Sequence, residues 1–244
     1  MRILEIETFP RDDRFVGLRW IKGSGLQRLD EDANLVEQTL DAVKLDLVFD
    51  PGYGIKCVDK YGSCLIVGDP QDRKILLSDP ANRLNPRFLA LAKSDTLQDV
   101  KLYQQQHATL PGAAGAIRGR LKLEIVPGDD NAGQDAPWAL VTASYVPHDT
   151  LLAETFVAQA DARGEFVIDL AGMRWPDDDS KPQFTLAITS LEGIDPEEAA
   201  DPDLFGDFNI STDGTAGTLQ AGFTVTLDNY GEVRKLGNLL VAPD

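Results

Sequence analysis

A run of strict two-residue alternation is the feature that most limits the folds open to this chain. Ile117, Gly119, Leu121, Leu123 and Ile125 take turns with Arg118, Arg120, Lys122 and Glu124. Successive side chains of a strand point to opposite faces, so this pattern specifies one buried and one solvated face. It recurs downstream: ALVTASYV, AETFVAQA, EFVIDL (Phe166, Ile168 and Leu170 inward) and QFTLAITS (Phe184, Leu186 and Ile188 on one face) read as further strands. Gly, Pro and Asp clusters separate them, among them PGDDNAGQDAP and a turn over Asp161 to Gly164. Short strands at this spacing predict a small antiparallel sandwich over residues 117–192.

The preceding segment mixes two periods. Val43, Leu45, Leu47 and Phe49 alternate as a strand, while Leu35, Thr39, Leu40 and Val43 have helical spacing and suggest a short helix leading into it. DPGYG is turn chemistry, and CVDKYGSC then reads as a hairpin with Asp59 to Gly62 at its tip. Asn85 before Pro86 has the form of an N-cap followed by proline at the first helical position. It predicts a helix to about Lys93 with Phe88, Leu89, Leu91 and Ala92 as its apolar stripe. Ser94 and Asp95 could cap a second helix through Leu97, Val100 and Leu102; the alternative is that VKLYQQQ is extended.

The resulting division is an α+β domain over residues 1–106, a linker at 107–116 (HATLPGAAGA), the sandwich over 117–192, and a carboxy-terminal segment over 193–244. In that last segment Asp195, Pro196, Glu197 and Glu198 have the form of a helix start. Leu219, Ala221, Phe223, Val225 and Leu227 form a long strand that would complete a sheet begun elsewhere. The expected fold class is therefore mainly β, an α+β amino-terminal domain followed by a β-sandwich.

Charge narrows the classes of partner. Forty acidic against 23 basic residues give a net charge of −17. Such a field repels phosphate backbones and anionic bilayers, so nucleic acid is excluded as a partner. The longest apolar runs, such as Leu45 to Phe49 and Ala139 to Val146, fall far short of the ~20 residues needed for a membrane span, so no membrane insertion is expected. The opening MRILEIETFPRDDRF meets Glu5 and Glu7 before an apolar core of signal-peptide length has formed, which leaves the cytoplasm as the expected compartment. Cys57 and Cys64 are the only cysteines. They would lie opposite each other on the hairpin, where a disulfide is geometrically conceivable; a reduced pair is the reading that suits a cytoplasmic chain.

Little points to catalysis. His107 lies in the linker and His148 in a loop beside Asp149, and neither accompanies a nucleophile in a G-x-S-x-G context. Asp129, Asn131 and Asp135, with Gly133 between the last two, place oxygen-bearing side chains at intervals like those opening a calcium loop. An EF-hand would also need glycine sixth and glutamate twelfth, where this chain has Gln134 and Leu140. A solvated turn is the first reading, and a low-affinity calcium site shared with Asp177, Asp178 or Asp179 is the alternative; no other cofactor is expected. Of the three tryptophans, Trp138 precedes a core strand and suits a plug at the sandwich end. Trp175, between Arg174 and Pro176, and Tyr145 are the candidate interface aromatics.

Residues 112–190 resemble the carboxypeptidase regulatory-like (transthyretin-like) β-sandwich domains. The resemblance rests on GAIRGRLKLE, PWALVTASYVPHDTLLAETFVAQAD and DARGEFVIDL. In that family an I-x-G strand is followed by a variable loop and then a D-x-x-G-x-F turn, matched here by Asp161, Gly164 and Phe166. The loop GDDNAGQD and the stretch RWPDDDSKP are longer and more acidic than the family pattern. The resemblance covers about a third of the chain and implies an immunoglobulin-like or transthyretin-like sandwich that acts as a non-catalytic accessory module. DLVFDPGYG near the start is faintly similar to small baseplate proteins of long-tailed bacteriophages. Together these imply a structural protein that binds other protein subunits of a larger assembly, such as a tail, baseplate or neck, and that resides in the virion if phage-encoded. A carbohydrate-binding accessory module or cell-surface adhesion domain, with surface glycans as partner, is the alternative.

Overall fold

The computed structural model describes residues 15–30, 35–40, 45–48, 54–56, 63–67, 74–90, 98–109, 114–123, 134–147, 153–176, 181–190, 197–212, 223–226 and 233–243. The chain is mainly β, and among the described residues there is no α-helix. The first part supplies β1 (Phe15–Lys22), β2 (Gly25–Leu29), β3 (Leu35–Val36), β4 (Asp46–Val48), β5 (Gly54–Lys56), β6 (Ser63–Val67), β7 (Lys74–Ser78), β8 (Arg87–Ala90) and β9 (Gln98–Leu102). The strands expected from the alternating pattern follow as β10 (Ala116–Leu123), β11 (Leu140–Tyr145), β12 (Glu154–Gln159), β13 (Glu165–Asp169) and β14 (Gln183–Ser190). Then come β15 (Gly206–Thr212), β16 (Phe223–Thr226) and β17 (Val233–Pro243).

These strands form three sheets. The largest runs β13-β10-β17-β15-β14-β11-β12-β2-β3, with β16 also paired to β14. It gives a β-sandwich-like body whose interior is filled by Phe156, Phe166, Phe184, Ile117, Leu121, Leu186 and Ile188. The Phe184 ring is tilted against Tyr145 at 5.4 Å and edge-on to Phe156 at 6.2 Å. Within this sheet the pairs are antiparallel except β10 with β17, which run parallel with a register shift between Arg118 and Arg120. The carboxy-terminal strand therefore sits between β10 and β15, and β16 joins the same sheet, as the alternation at Phe223 and Val225 predicts. A second core, of Leu18, Trp20, Ile75, Leu77, Leu89, Val100 and Leu102, belongs to the first part. The large sheet takes strands from both sides of residues 107–116, since β2 pairs with β12.

The turn into β13 has the expected construction. Asp161 Oδ1 accepts from the N–H groups of Arg163 (2.8 Å) and Glu165 (3.0 Å), and Phe166 is fully buried. Gly164 sits at φ +71°, and a Cβ there would lie 2.4 Å from the Leu121 carbonyl oxygen, so glycine is required on both counts.

The amino-terminal helices are corrected to extended chain. Where a helix over Leu35, Thr39 and Leu40 was expected, Leu35 and Val36 pair with β2 and Thr39 bridges Ile21. Lys22 N–H donates to the Gln38 carbonyl (2.7 Å) and Leu40 N–H to that of Trp20 (2.9 Å), so these groups bond to β1 instead of closing helical turns. In place of a helix from Pro86 there is β8, in which Arg87 and Leu89 are buried and Ala90 is exposed, a period of two. Asn85 does not cap it: its amide donates to Gln159 Oε1 (3.2 Å). The extended alternative holds for Val100 to Leu102, which belong to β9, parallel to β1. Asp195 and Pro196 lie outside the described residues; Glu197 to Ala200 are not helical, and a single 3-10 turn follows at Pro202–Leu204. Cys57 likewise lies outside the described residues, while β5 and β6 pair with Lys56 opposite Leu65.

Candidate functional site

The surface that stands apart from the filled cores lies where β2 and β3 meet the ends of β12 and β13. β2 begins at Gly25, pairs with β12 through Gln27, then turns to β3 through Arg28 and Leu29. β3 ends the strand path of the sheet. Leu29, Leu35 and Val36 are 44%, 38% and 45% exposed, three apolar side chains on one hairpin. Leu29 and Leu35 stand opposite each other on one face and Val36 lies on the other, so both faces of this sheet edge expose apolar side chains of the kind that soluble chains usually cover.

Beside this hairpin lies an open groove of about 330 Å³, lined by Leu26, Gln27, Arg28, Leu29, Ala153, Glu154, Gly172 and Arg174. Gly172, at φ +84° in the turn after β13, forms part of the wall. A Cβ there would sit 3.3 Å from Leu26 Cδ2 and 4.0 Å from Arg28 Nη2, so the arginine reaches toward that turn. Glu154 accepts the backbone N–H of Arg174 (3.1 Å), and its other oxygen is 3.5 Å from Arg174 Nε, on a side chain 65% exposed. Among the described residues Arg28 has no ion-pair partner. Leu26 and Trp175 are half-buried against the sandwich core, which anchors the groove to the fold.

A different chemistry occupies the contact between the first part and the sandwich. Arg87 is 1% exposed, and its guanidinium donates to the Lys101 carbonyl (2.6 Å), to Asp201 (2.7 Å) and to Asp203 (3.0 Å). Asp201 also accepts from the Asp203 N–H (3.1 Å), so the 3-10 turn that holds both carboxylates is fixed over the arginine. Burial pushes the nearby Tyr103 hydroxyl up to about 12, with Arg87 opposing that shift and Asp203 and Asp201 adding to it. Asn85 donates to Gln159, and Gln159 in turn to the Trp138 carbonyl (2.9 Å). These groups are tied mainly to protein, with Arg87 Nε and Asn85 Oδ1 left without a hydrogen-bond partner among the described residues, and their burial makes the cluster a structural seam and not an open site.

The candidates drawn from sequence are dispersed. Asp129 and Asn131 lie outside the described residues. Asp135 is held by Arg120, whose Nε and Nη2 donate to its two oxygens at 3.0 and 2.6 Å. Among the described residues no three His, Cys, Asp or Glu side chains gather as a metal set would. Tyr145 is 5% exposed, with its ring inside the core against Phe184, so it offers no surface ring. Trp20 and Trp138 are buried too, the latter at φ +61° beside the Asp161 turn. Trp175 is adjacent to the groove through its neighbour Arg174. His107 lies in the 3-10 turn Gln106–Ala108, and His148 is outside the described residues.

Sequence reasoning missed Leu29, Leu35, Val36 and Arg28. The available signal was LQRLDEDANLV, in which apolar residues flank an acidic run. Read as a helix, that run gives no reason to expect an apolar edge. No family model, no curated protein and no solved structure matches the chain. Among the described residues no helix is long and apolar enough to cross a membrane.

Proposed function

We propose that this chain is a non-catalytic interaction protein, a β scaffold whose β2–β3 hairpin docks onto another protein subunit of a larger assembly. The observation that carries the reading is the exposure of Leu29, Leu35 and Val36 on the last strands of the large sheet, next to a groove of mixed chemistry. The setting proposed is a bacteriophage tail, baseplate or neck, which rests on the sequence likeness at DLVFDPGYG. The carbohydrate alternative asks for exposed rings, and the burial of Tyr145, Trp20 and Trp138 weighs against it.

The test is co-expression with the products of the genes adjacent to its own, followed by size-exclusion chromatography with light scattering. The expected result is a stoichiometric complex that Leu29→Asp with Val36→Asp disrupts, while circular dichroism stays native. A chain that stays monomeric with every candidate subunit would overturn the reading.

A further inference from the structure

The interaction reading leaves the chemistry of the partner open, and the groove narrows it. The chain carries 40 acidic and 23 basic residues, yet the groove beside the apolar hairpin presents two guanidinium groups, Arg28 and Arg174, to a single carboxylate, Glu154. Glu154 is engaged by the Arg174 backbone N–H and lies near its Nε. Among the described residues Arg28 has no ion-pair partner. A guanidinium with unused donors at the rim of an apolar surface is suited to a carboxylate, which it can engage through two parallel hydrogen bonds.

Resting on the interaction reading above, we infer that the hairpin and groove receive an extended, acidic segment of a partner protein, in which apolar and carboxylate side chains alternate. Charge complementarity carries the choice of occupant. Among the described residues β3 ends the sheet path, which offers an incoming strand an edge on which to add main-chain hydrogen bonds. Its alternate side chains then fall on two faces, one meeting Leu29 and Leu35, which stand opposite each other, and the other meeting Arg28 and Val36. The net charge of −17 opposes long polyanions and anionic membranes, whereas a short segment with a few carboxylates meets the positive groove before the wider field dominates.

The experiment titrates the full-length protein with a blocked peptide of alternating valine and glutamate, with its glutamine and lysine analogues, and with vesicles of phosphatidylserine and phosphatidylcholine, following backbone NMR shifts and tryptophan emission. The glutamate peptide is expected to bind, to weaken with added salt, and to shift amides of β2, β3 and the Gly172 turn. Arg28→Glu and, more mildly, Arg28→Gln are expected to weaken it by about tenfold or more without moving the melting temperature. Equal binding of the glutamine or lysine analogue, unchanged binding by Arg28→Glu, or binding of vesicles and not of the peptide would each overturn the inference. If the peptide fails while a subunit complex still forms through the hairpin, the acidic-strand chemistry is wrong and the interaction reading stands; if neither binds, both fall.

Discussion

Arginine is used in two opposite ways in this molecule. Arg87 is buried between the first part and the sandwich, with Lys101, Asp201 and Asp203 accepting from its guanidinium. Arg28 and Arg174 line an open groove whose single carboxylate, Glu154, is engaged by Arg174 and not by Arg28. A buried guanidinium has lost its water, and the fold is stable only because protein acceptors replace it. An exposed guanidinium keeps its water and its donors, so it contributes little to stability and remains available to another molecule. The same side chain therefore acts as a structural tie in one place and a recognition group in the other, and burial decides which.

The largest expected effect tests the first half of that contrast. Arg87→Met removes the cation and strands Asp201, so unfolding in urea is expected to show a loss of about 3–5 kcal/mol. A loss below about 1 kcal/mol would mean the tie is not structural. Its two partners sharpen the point. Asp201, whose side chain is 11% exposed, should cost about 2 kcal/mol on change to Ala, and Asp203, at 53%, should cost less than about 1 kcal/mol.

Asp79 provides a carboxylate counterpart with a pH signature. Burial opposes its charge, but the N–H groups of Ala81 (2.9 Å) and Arg83 (3.0 Å) and the Arg83 side chain hold its pKa below the usual value. A depressed folded-state pKa gives stability that is present above the unfolded value of about 3.9 and lost as pH falls through the folded one. Asp79→Asn should flatten that part of the stability–pH curve and cost about 1–2 kcal/mol at neutral pH. An unchanged slope below about pH 4 would show that Asp79 is not the group responsible. The smallest effect belongs to the groove: Arg28→Gln is expected to change unfolding free energy by no more than about 0.5 kcal/mol.

The sandwich was legible because most of its strands alternate apolar and polar residues, β13 departing from the pattern in that Val167 is buried beside Phe166 and Ile168. Ile117 and Leu121 in β10, Phe166 and Ile168 in β13, and Phe184, Leu186 and Ile188 in β14 all point where the period of two sends them. The first part misled for physical reasons. Arg87 is a core residue of β8, so a buried position carried a charge and the alternation with Leu89 was hidden. Asn85 and Pro86 have the chemistry of a helix start, but the asparagine amide donates to Gln159, 74 residues away. Leu35, Thr39 and Leu40 have helical spacing, yet hydrogen bonds to β1 and β2 override so short a pattern. The groove was illegible for a related reason. Arg28, Ala153 and Arg174 are distant in sequence and meet only because β2 leaves the first part to pair with β12, and local periodicity carries no trace of that pairing.

The most direct test joins the two halves of the contrast in one double variant, Arg28→Glu with Arg174→Glu, co-expressed with the adjacent subunits beside the unmodified chain. Light scattering on the eluting peaks is expected to find the unmodified chain in a complex and the variant alone, with the two melting at the same temperature. A variant that still co-elutes with its partner would contradict the assignment of this surface to recognition, and one that unfolds would contradict the claim that these arginines are free of structural duty.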